Sequence, residues 1–222
     1  IIDFKEEIDL DYVMEEIDDL IEGIGHGAER TASIVQGLRN FSRLDEEDFK
    51  ETDLEEGLDS TLILLNSRIR NRVEIEKNYG GIPRVYCNGG KINQVFMNLM
   101  SNALDAIDER KQQEADLQAK MTISTHILND QVVEIRIGDN GIGMDEEVKQ
   151  RIFEPFYTTK DVGKGTGLGL SIVYKILQNH KAKLQLESEP KKEVFSDFKF
   201  QSDTKAIVRS ESETKDQSPL SR

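Results

Sequence analysis

Between Asp139 and Leu170 the chain concentrates residue types that can hold a charged ligand: DNGIGM, then FEPFYTTK, then GKGTGLGL. Two glycine-dense turns enclose an aromatic, positively charged loop, and a helix-like run, LSIVYKILQNH, follows the second turn. Glycines at 141, 143, 163, 165, 167 and 169 let backbone approach a ligand closely. Bare amides at the head of a helix form an anion site. Asp139 closes the alternating run VVEIRIGD with no cation directly beside it in sequence. A carboxylate at such a strand end can accept a hydrogen bond from an amine, for example the exocyclic amine of adenine. The chemistry suggested is a nucleotide gripped by its base at one turn and by its phosphates at the other.

Spacing narrows the choice of fold. GKGTGLGL lacks the G-x-x-x-x-G-K-[ST] of a phosphate-binding P-loop, and no acidic residue follows about 20 positions on to hold a ribose. A third element stands upstream, Gln94 followed by VFMNLMSNALDAI. There Asn98, Asn102 and Asp105 fall at i, i+4 and i+7, on one face of a helix. Val95, Phe96, Leu99, Met100, Ala103, Leu104 and Ile107 supply the buried face.

The ordered set NLMSNALDAI, DNGIGM, FEPFYTTK and GKGTGLGL resembles the N, G1, F and G2 boxes of sensor histidine kinases. Those belong to a wider ATPase class that includes gyrase, Hsp90 and MutL. The resemblance runs from Phe41 to Glu189, and FEPFYTTK is the piece that points to the kinases. It implies an α+β, two-layer α/β sandwich, the Bergerat ATP-binding fold, preceded by a long dimerisation helix. It also implies ATP and Mg²⁺ as ligands, with γ-phosphoryl transfer to a histidine and onward to an aspartate of a response-regulator receiver domain.

By the same resemblance Asn98 is the magnesium ligand, Asn102 the next phosphate contact, and Asp105 a third position on that face. Asp139 is the adenine anchor, in a pocket shaped by Gly141 and Gly143. Gly165, Gly167 and Gly169, with Thr166 and Leu168 between them, form the lid over the phosphates, and Lys160 and Lys164 are candidate phosphate cations. Gln94 stands where many relatives carry Glu and has a polar role near the transferred phosphate. Phe153 and Phe156 are expected to pack the lid against the core. Two other classes stay open: an ATP-binding regulatory module without catalysis, and an ATPase of the gyrase or Hsp90 kind.

These residues need elements to position them. VEIEKNYG, KMTISTHIL, QVVEIRIGD and KLQLES alternate like strands, with a hairpin around Asn129-Asp130. DLEEGLDSTLILLNSRIR reads as a helix with Asp53 as N-cap, and Met144 to Phe153 as a short one. Strands in one sheet with helices on one face give the two-layer sandwich. The segment 49–209 is the expected ATP-binding domain, and 210–222 a disordered tail.

Residues 1–48 are the expected dimerisation segment. Leu10, Ile17, Ile24, Thr31 and Leu38 recur every seven, and Val13, Leu20, Gly27, Ile34 and Phe41 sit three later, a seam that wants a partner helix. The expectation is a homodimer, with a hinge or break at Gly23 to Gly27. His26 in HGAERT lacks the following acidic residue and the proline of the family's acceptor motif. It is read as a solvated or hinge histidine, and the acceptor is expected upstream of Ile1, in a longer protein. His126 and His180 are read as structural.

The C-terminal part departs from the family: the usual glycine turn is Pro190-Lys191-Lys192-Glu193, and Ser196 is the nearby hydroxyl. Base affinity is therefore in question, while Phe195, Phe198 and Phe200 offer the last strand a buried face. A net charge of −14 over 222 residues, with pI near 4.8, argues against nucleic acid. One cysteine, Cys87, suits a reducing compartment. No apolar run is long enough to cross a bilayer, so this segment is expected to be cytoplasmic and to make no membrane contact.

Overall fold

In this computed structural model the described residues are 12, 14, 16, 17, 20, 21, 24, 49–129, 132–160 and 166–188, together with the backbone of 194–201. A short strand, β1 (Lys50–Thr52), leads into α1 (Leu54–Leu64). Asp53 starts that helix as expected: its carboxylate accepts from the Glu56 amide at 3.0 Å, satisfying one of the donors every helix start leaves unpaired. A single turn, α2 (Asn66–Ile69), precedes β2 (Glu74–Asn78) and β3 (Val85–Cys87). Next comes α3 (Gly89–Gln113), where the Asn88 side chain accepts from the Lys91 amide at 2.9 Å. The strands β4 (Lys120–Asn129) and β5 (Val132–Asp139) follow, then α4 (Glu146–Arg151), α5 (Gly169–Asn179), β6 (Lys183–Glu187) and β7 (Val194–Gln201).

One five-stranded sheet takes the order β2-β4-β5-β7-β6, and β1 pairs with β3 in a small second sheet. Within the larger sheet β2 runs parallel to β4, and every other pair is antiparallel. Alternation places Met121 and Ile123 of β4 and Val133, Ile135 and Ile137 of β5 inside, each no more than 3% exposed. The helix α3 contacts α1, α5 and β5. Its apolar residues at 3–4 spacing (Ile92, Val95, Phe96, Leu99, Met100, Ala103, Leu104 and Ile107) are all buried. The result is the two-layer α+β sandwich expected from the sequence.

The run DLEEGLDSTLILLNSRIR does not form one helix. It breaks at Leu65 into α1 and α2. The Thr61 hydroxyl donates back to the Gly57 carbonyl at 2.9 Å, while the Leu65 amide still donates to the Thr61 carbonyl at 3.0 Å; the boundary falls at Leu65, whose backbone leaves the helical region at ψ 0°. The hairpin is present, with an irregularity between Ile127 and Asn129; Asp130 and Gln131 lie outside the described residues. The short helix begins only at Glu146 because Asp145 caps it, accepting from the Val148 amide at 2.8 Å.

Of the expected N-terminal helix, Tyr12, Met14, Glu16, Ile17, Leu20, Ile21 and Ile24 are described; all are helical and exposed. The Tyr12 hydroxyl donates to Glu16 one turn on, at 2.7 Å. The rest of 1–48, His26 included, lies outside the described residues, as do 210–222 and the side chains of Phe195, Ser196, Phe198 and Phe200. Among the described residues no helix is long and apolar enough to cross a membrane.

Candidate functional site

The polar face of α3, the end of β5, the loop after α4 and the start of α5 enclose a cavity of about 350 Å³. Asn98, Asn102 and Asp105 line it from α3, Asp139 and Gly143 from β5 and its turn, Lys160 from the loop, and Thr166, Gly167 and Gly169 from the second glycine turn. Motifs far apart in sequence thus share one hollow. Gln94 stands one turn before Asn98 on α3 and is not among the lining residues. Leu168 also lies off the lining; its carbonyl accepts from the Ile172 amide at 3.0 Å and starts α5. Lys164 and Gly165 lie outside the described residues.

Asp139 sits at the base, 8% exposed, where the register sets it opposite Met121 on β4 and Val194 on β7. Its Oδ1 accepts from the Gly141 amide at 2.8 Å, which fixes the carboxylate by a local turn. The turn lies flat on α3, with the Ile142 amide donating to the Ala106 carbonyl at 3.0 Å. A Cβ at position 141 would stand 2.6 Å from Ala106 and 2.7 Å from that same Asp139 oxygen, so only glycine fits. Gly143, at φ +75°, needs the left-handed region that glycine enters freely.

Neighbours that the sequence reading missed hold this turn from outside. The Asn140 side chain accepts from the Lys120 amide at 2.8 Å and donates to the Gln118 carbonyl at 2.7 Å. Arg110 donates to the Asn140 carbonyl at 3.0 Å. The buried Ser188 hydroxyl accepts from the Met144 amide at 2.8 Å. Arg110 follows Ala106 by one turn of α3, a signal present in the spacing; Ser188 carries no signal at all.

Asn98 is unusual: its Nδ2 is buried without a hydrogen-bond partner among the described residues. Leaving a buried polar atom unpaired costs about 1–3 kcal/mol, and such groups mark ligand positions. A half-turn of the amide presents oxygen instead of nitrogen. No group of three or more His, Cys, Asp or Glu gathers as a metal cage among the described residues. Magnesium prefers oxygen donors and keeps several waters beside few protein ligands, so a lone Asn98 oxygen together with nucleotide phosphates fits it.

Asp105 is engaged on both oxygens, one by Arg68 at 2.6 Å and the other by Lys160. Arg68 also donates to Asp108 at 3.1 Å and to the Ser101 hydroxyl at 3.2 Å. Burial opposes the Arg68 charge, but hydrogen bonds to Asp105 and Asp108 outweigh it and hold the guanidinium above its ordinary value.

The loop and the second glycine turn are stitched together. The Phe156 amide donates to the Gly167 carbonyl at 2.9 Å. Gly167 has φ +65°, and a Cβ there would meet the Phe156 backbone at 2.3 Å. Phe153 packs on Tyr174 of α5, ring centroids 5.5 Å apart. Phe156 differs from expectation: it is 75% exposed, its backbone at φ +69° turning the ring outward while its main chain meets the glycine.

Residues 87–205 match the family model described as histidine kinase-, DNA gyrase B- and HSP90-like ATPase. The chain is 32% identical over 143 residues to sporulation kinase E of Bacillus subtilis, covering 64% of this chain and 18% of that protein. It is 35% identical over 177 residues to sensor kinase CckA of Brucella abortus, covering 76% and 19% respectively. It thus spans under a fifth of the length of these sensor-kinase relatives. Among solved structures, the catalytic domain of histidine kinase ThkA superposes with a TM-score of 0.59 at 29% identity, over 70% of this chain and 96% of that one. By motif, cavity and fold together, the chain belongs to the histidine kinase-, DNA gyrase B- and HSP90-like ATPase family, with the architecture of a histidine kinase catalytic domain.

Proposed function

We propose that this chain is the nucleotide-binding catalytic part of a sensor histidine kinase: it binds Mg-ATP and supplies the γ-phosphoryl group to a histidine, from which it passes to a response-regulator aspartate. The observation that carries the reading is one cavity lined by both the buried Asp139 and Asn98, whose buried Nδ2 has no hydrogen-bond partner among the described residues. Related proteins support it. ShkA, which shares this fold at 22% identity, is solved in complex with AMPPNP. ThkA is solved in complex with the response regulator protein TrrA, at 25% identity and a TM-score of 0.56 over 81% of this chain.

In this mechanism the protein mostly positions and neutralises. Asp139 accepts the adenine amine. Asn98 would hold the metal and Asn102 a phosphate oxygen. The amides at the head of α5 and the Lys160 ammonium face the phosphate tail. Magnesium, held there, would supply charge neutralisation to the phosphates. The loop and glycine turn, joined at Phe156 and Gly167, cover the tail and exclude water. No histidine lines the cavity among the described residues, so the phosphoacceptor is proposed to lie on a separate helical element, through which two copies pair.

Calorimetric titration with Mg-ATP tests the reading. The unaltered chain takes up the nucleotide, and Asp139→Ala weakens uptake by at least about tenfold, as expected for a charge-assisted hydrogen bond. Intact uptake after that replacement sinks the proposal. Incubated alone with labelled ATP, the chain acquires no phosphohistidine; label on His26 contradicts the assignment of that residue.

A further inference from the structure

We propose that Arg68, Asp105 and Lys160 form a charge strut that aims the loop lysine at the phosphate end of the cavity, with Asp105 as a positioning residue for Lys160. The inference rests on the ATP reading and goes beyond it in naming Arg68, which belongs to none of the glycine or asparagine motifs.

The geometry spans three elements. Arg68 comes from α2, brought against α3 by the break at Leu65. Its Nη2 lies 2.6 Å from Asp105 Oδ1 and 3.1 Å from Asp108 Oδ2, and its Nη1 lies 3.2 Å from Ser101 Oγ. These contacts hold the guanidinium in a fixed plane. Asp108 is shared with Arg72, at 3.0 Å. The second Asp105 oxygen receives the Lys160 ammonium. Asp105 therefore bridges a cation anchored on the scaffold and a cation carried by the loop.

Charge explains why the bridge matters. The lining contains Asp105, Glu109 and Asp139, and among its described residues Lys160 is the one cation. A bare carboxylate at position 105 would repel a triphosphate. Arg68 and Lys160 together offset the Asp105 carboxylate, and Arg72 shares Asp108 with Arg68, so position 105 does not present a bare negative charge to the cavity. Asp105 follows Asn102 by three residues and Asn98 by seven on the same helical face, and the ammonium it holds belongs to a residue that lines the same cavity as both asparagines. An ammonium has three donors; one serves Asp105 and two can meet phosphate oxygens.

Titration of the full chain with ATP, ADP and adenosine in the presence of magnesium tests this. Asp105→Asn and Lys160→Met each weaken ATP about tenfold, weaken ADP less, and leave adenosine unchanged. The double variant is no weaker than Lys160→Met alone, because the two act as one unit. Lys160→Arg retains most of the affinity, and Arg68→Met weakens ATP in the same order of preference over adenosine. Lys160 is on a surface loop, so its variants fold even where an Asp105 replacement does not; thermal melts check each. Tighter or unchanged ATP binding in Asp105→Asn, or additive losses in the double variant, would overturn the strut. If Asp139→Ala abolishes uptake while Asp105→Asn and Lys160→Met do nothing, the strut fails and the nucleotide reading stands. Absence of uptake by the unaltered chain overturns both.

Discussion

A single methyl group at residue 141 probes the base end of the cavity. The Gly141 amide bonds Asp139, and a Cβ added at this position would crowd both that carboxylate and Ala106, so one of them must move. Gly141→Ala is expected to cost about 1–3 kcal/mol of stability and to weaken Mg-ATP binding, read by thermal melt and calorimetry on the same sample. Gly169→Ala is the control. Its Cβ would meet Asn98 no closer than 3.7 Å, an ordinary contact, and the fold should hold. Cys87 gives a second residue-scale expectation. Burial pushes its thiol up to about 11, against a Thr52 hydrogen bond that lowers it. At pH 8 a thiol reagent should modify it only after denaturant is added. That Asp139 and Asn98 would share one cavity was legible at this scale, because a strand end and a helix face fix where each stands. The ion pairs of Asp105 were not, since Arg68 sits far upstream and only the fold brings it near.

At the scale of elements, His180 joins three of them. Its Nε2 accepts from the Asn88 amide at 3.1 Å, its Nδ1 donates to the Ile176 carbonyl at 2.7 Å, and its ring stacks on Phe49 with centroids 4.8 Å apart. The end of α5, the cap of α3 and the approach to β1 therefore meet on one imidazole. Burial pushes its pKa below the ordinary 6.5, against the Ile176 bond, which raises it. As pH falls, the unfolded chain takes the proton first, so this contribution is complete above pH 6.5 and is lost below it, towards the folded value. The melting temperature should decline on that acid side, and His180→Gln should flatten the decline. A structural role for His180 follows from its place at a helix end, and the hydrogen bonds supply the reason. Apolar spacing continues through Leu62 and Leu65 and reads as one helix; the boundary at Leu65, where the backbone turns to ψ 0°, leaves no trace in periodicity.

For the molecule as a whole, the core is one continuous layer between sheet and helices, with Phe96 fully buried at its centre. Phe96→Ala should cost about 3–5 kcal/mol, measured as a lower urea midpoint with the slope unchanged. The sandwich was legible because strand alternation and the α3 face each declare a buried side. Strand order was not, because nothing in β2 itself says that its neighbour is β4 rather than β3.

That parallel pairing has a consequence for synthesis. As the polypeptide leaves the ribosome, β2 emerges first and waits while β3 and all of α3 are translated before β4 arrives to receive it. Parallel partners need such a crossover, and closing it is slow compared with forming a hairpin. A nascent chain arrested just after α3 thus carries Glu74–Asn78 without its ladder, and protease should cut there until β4 has cleared the exit tunnel.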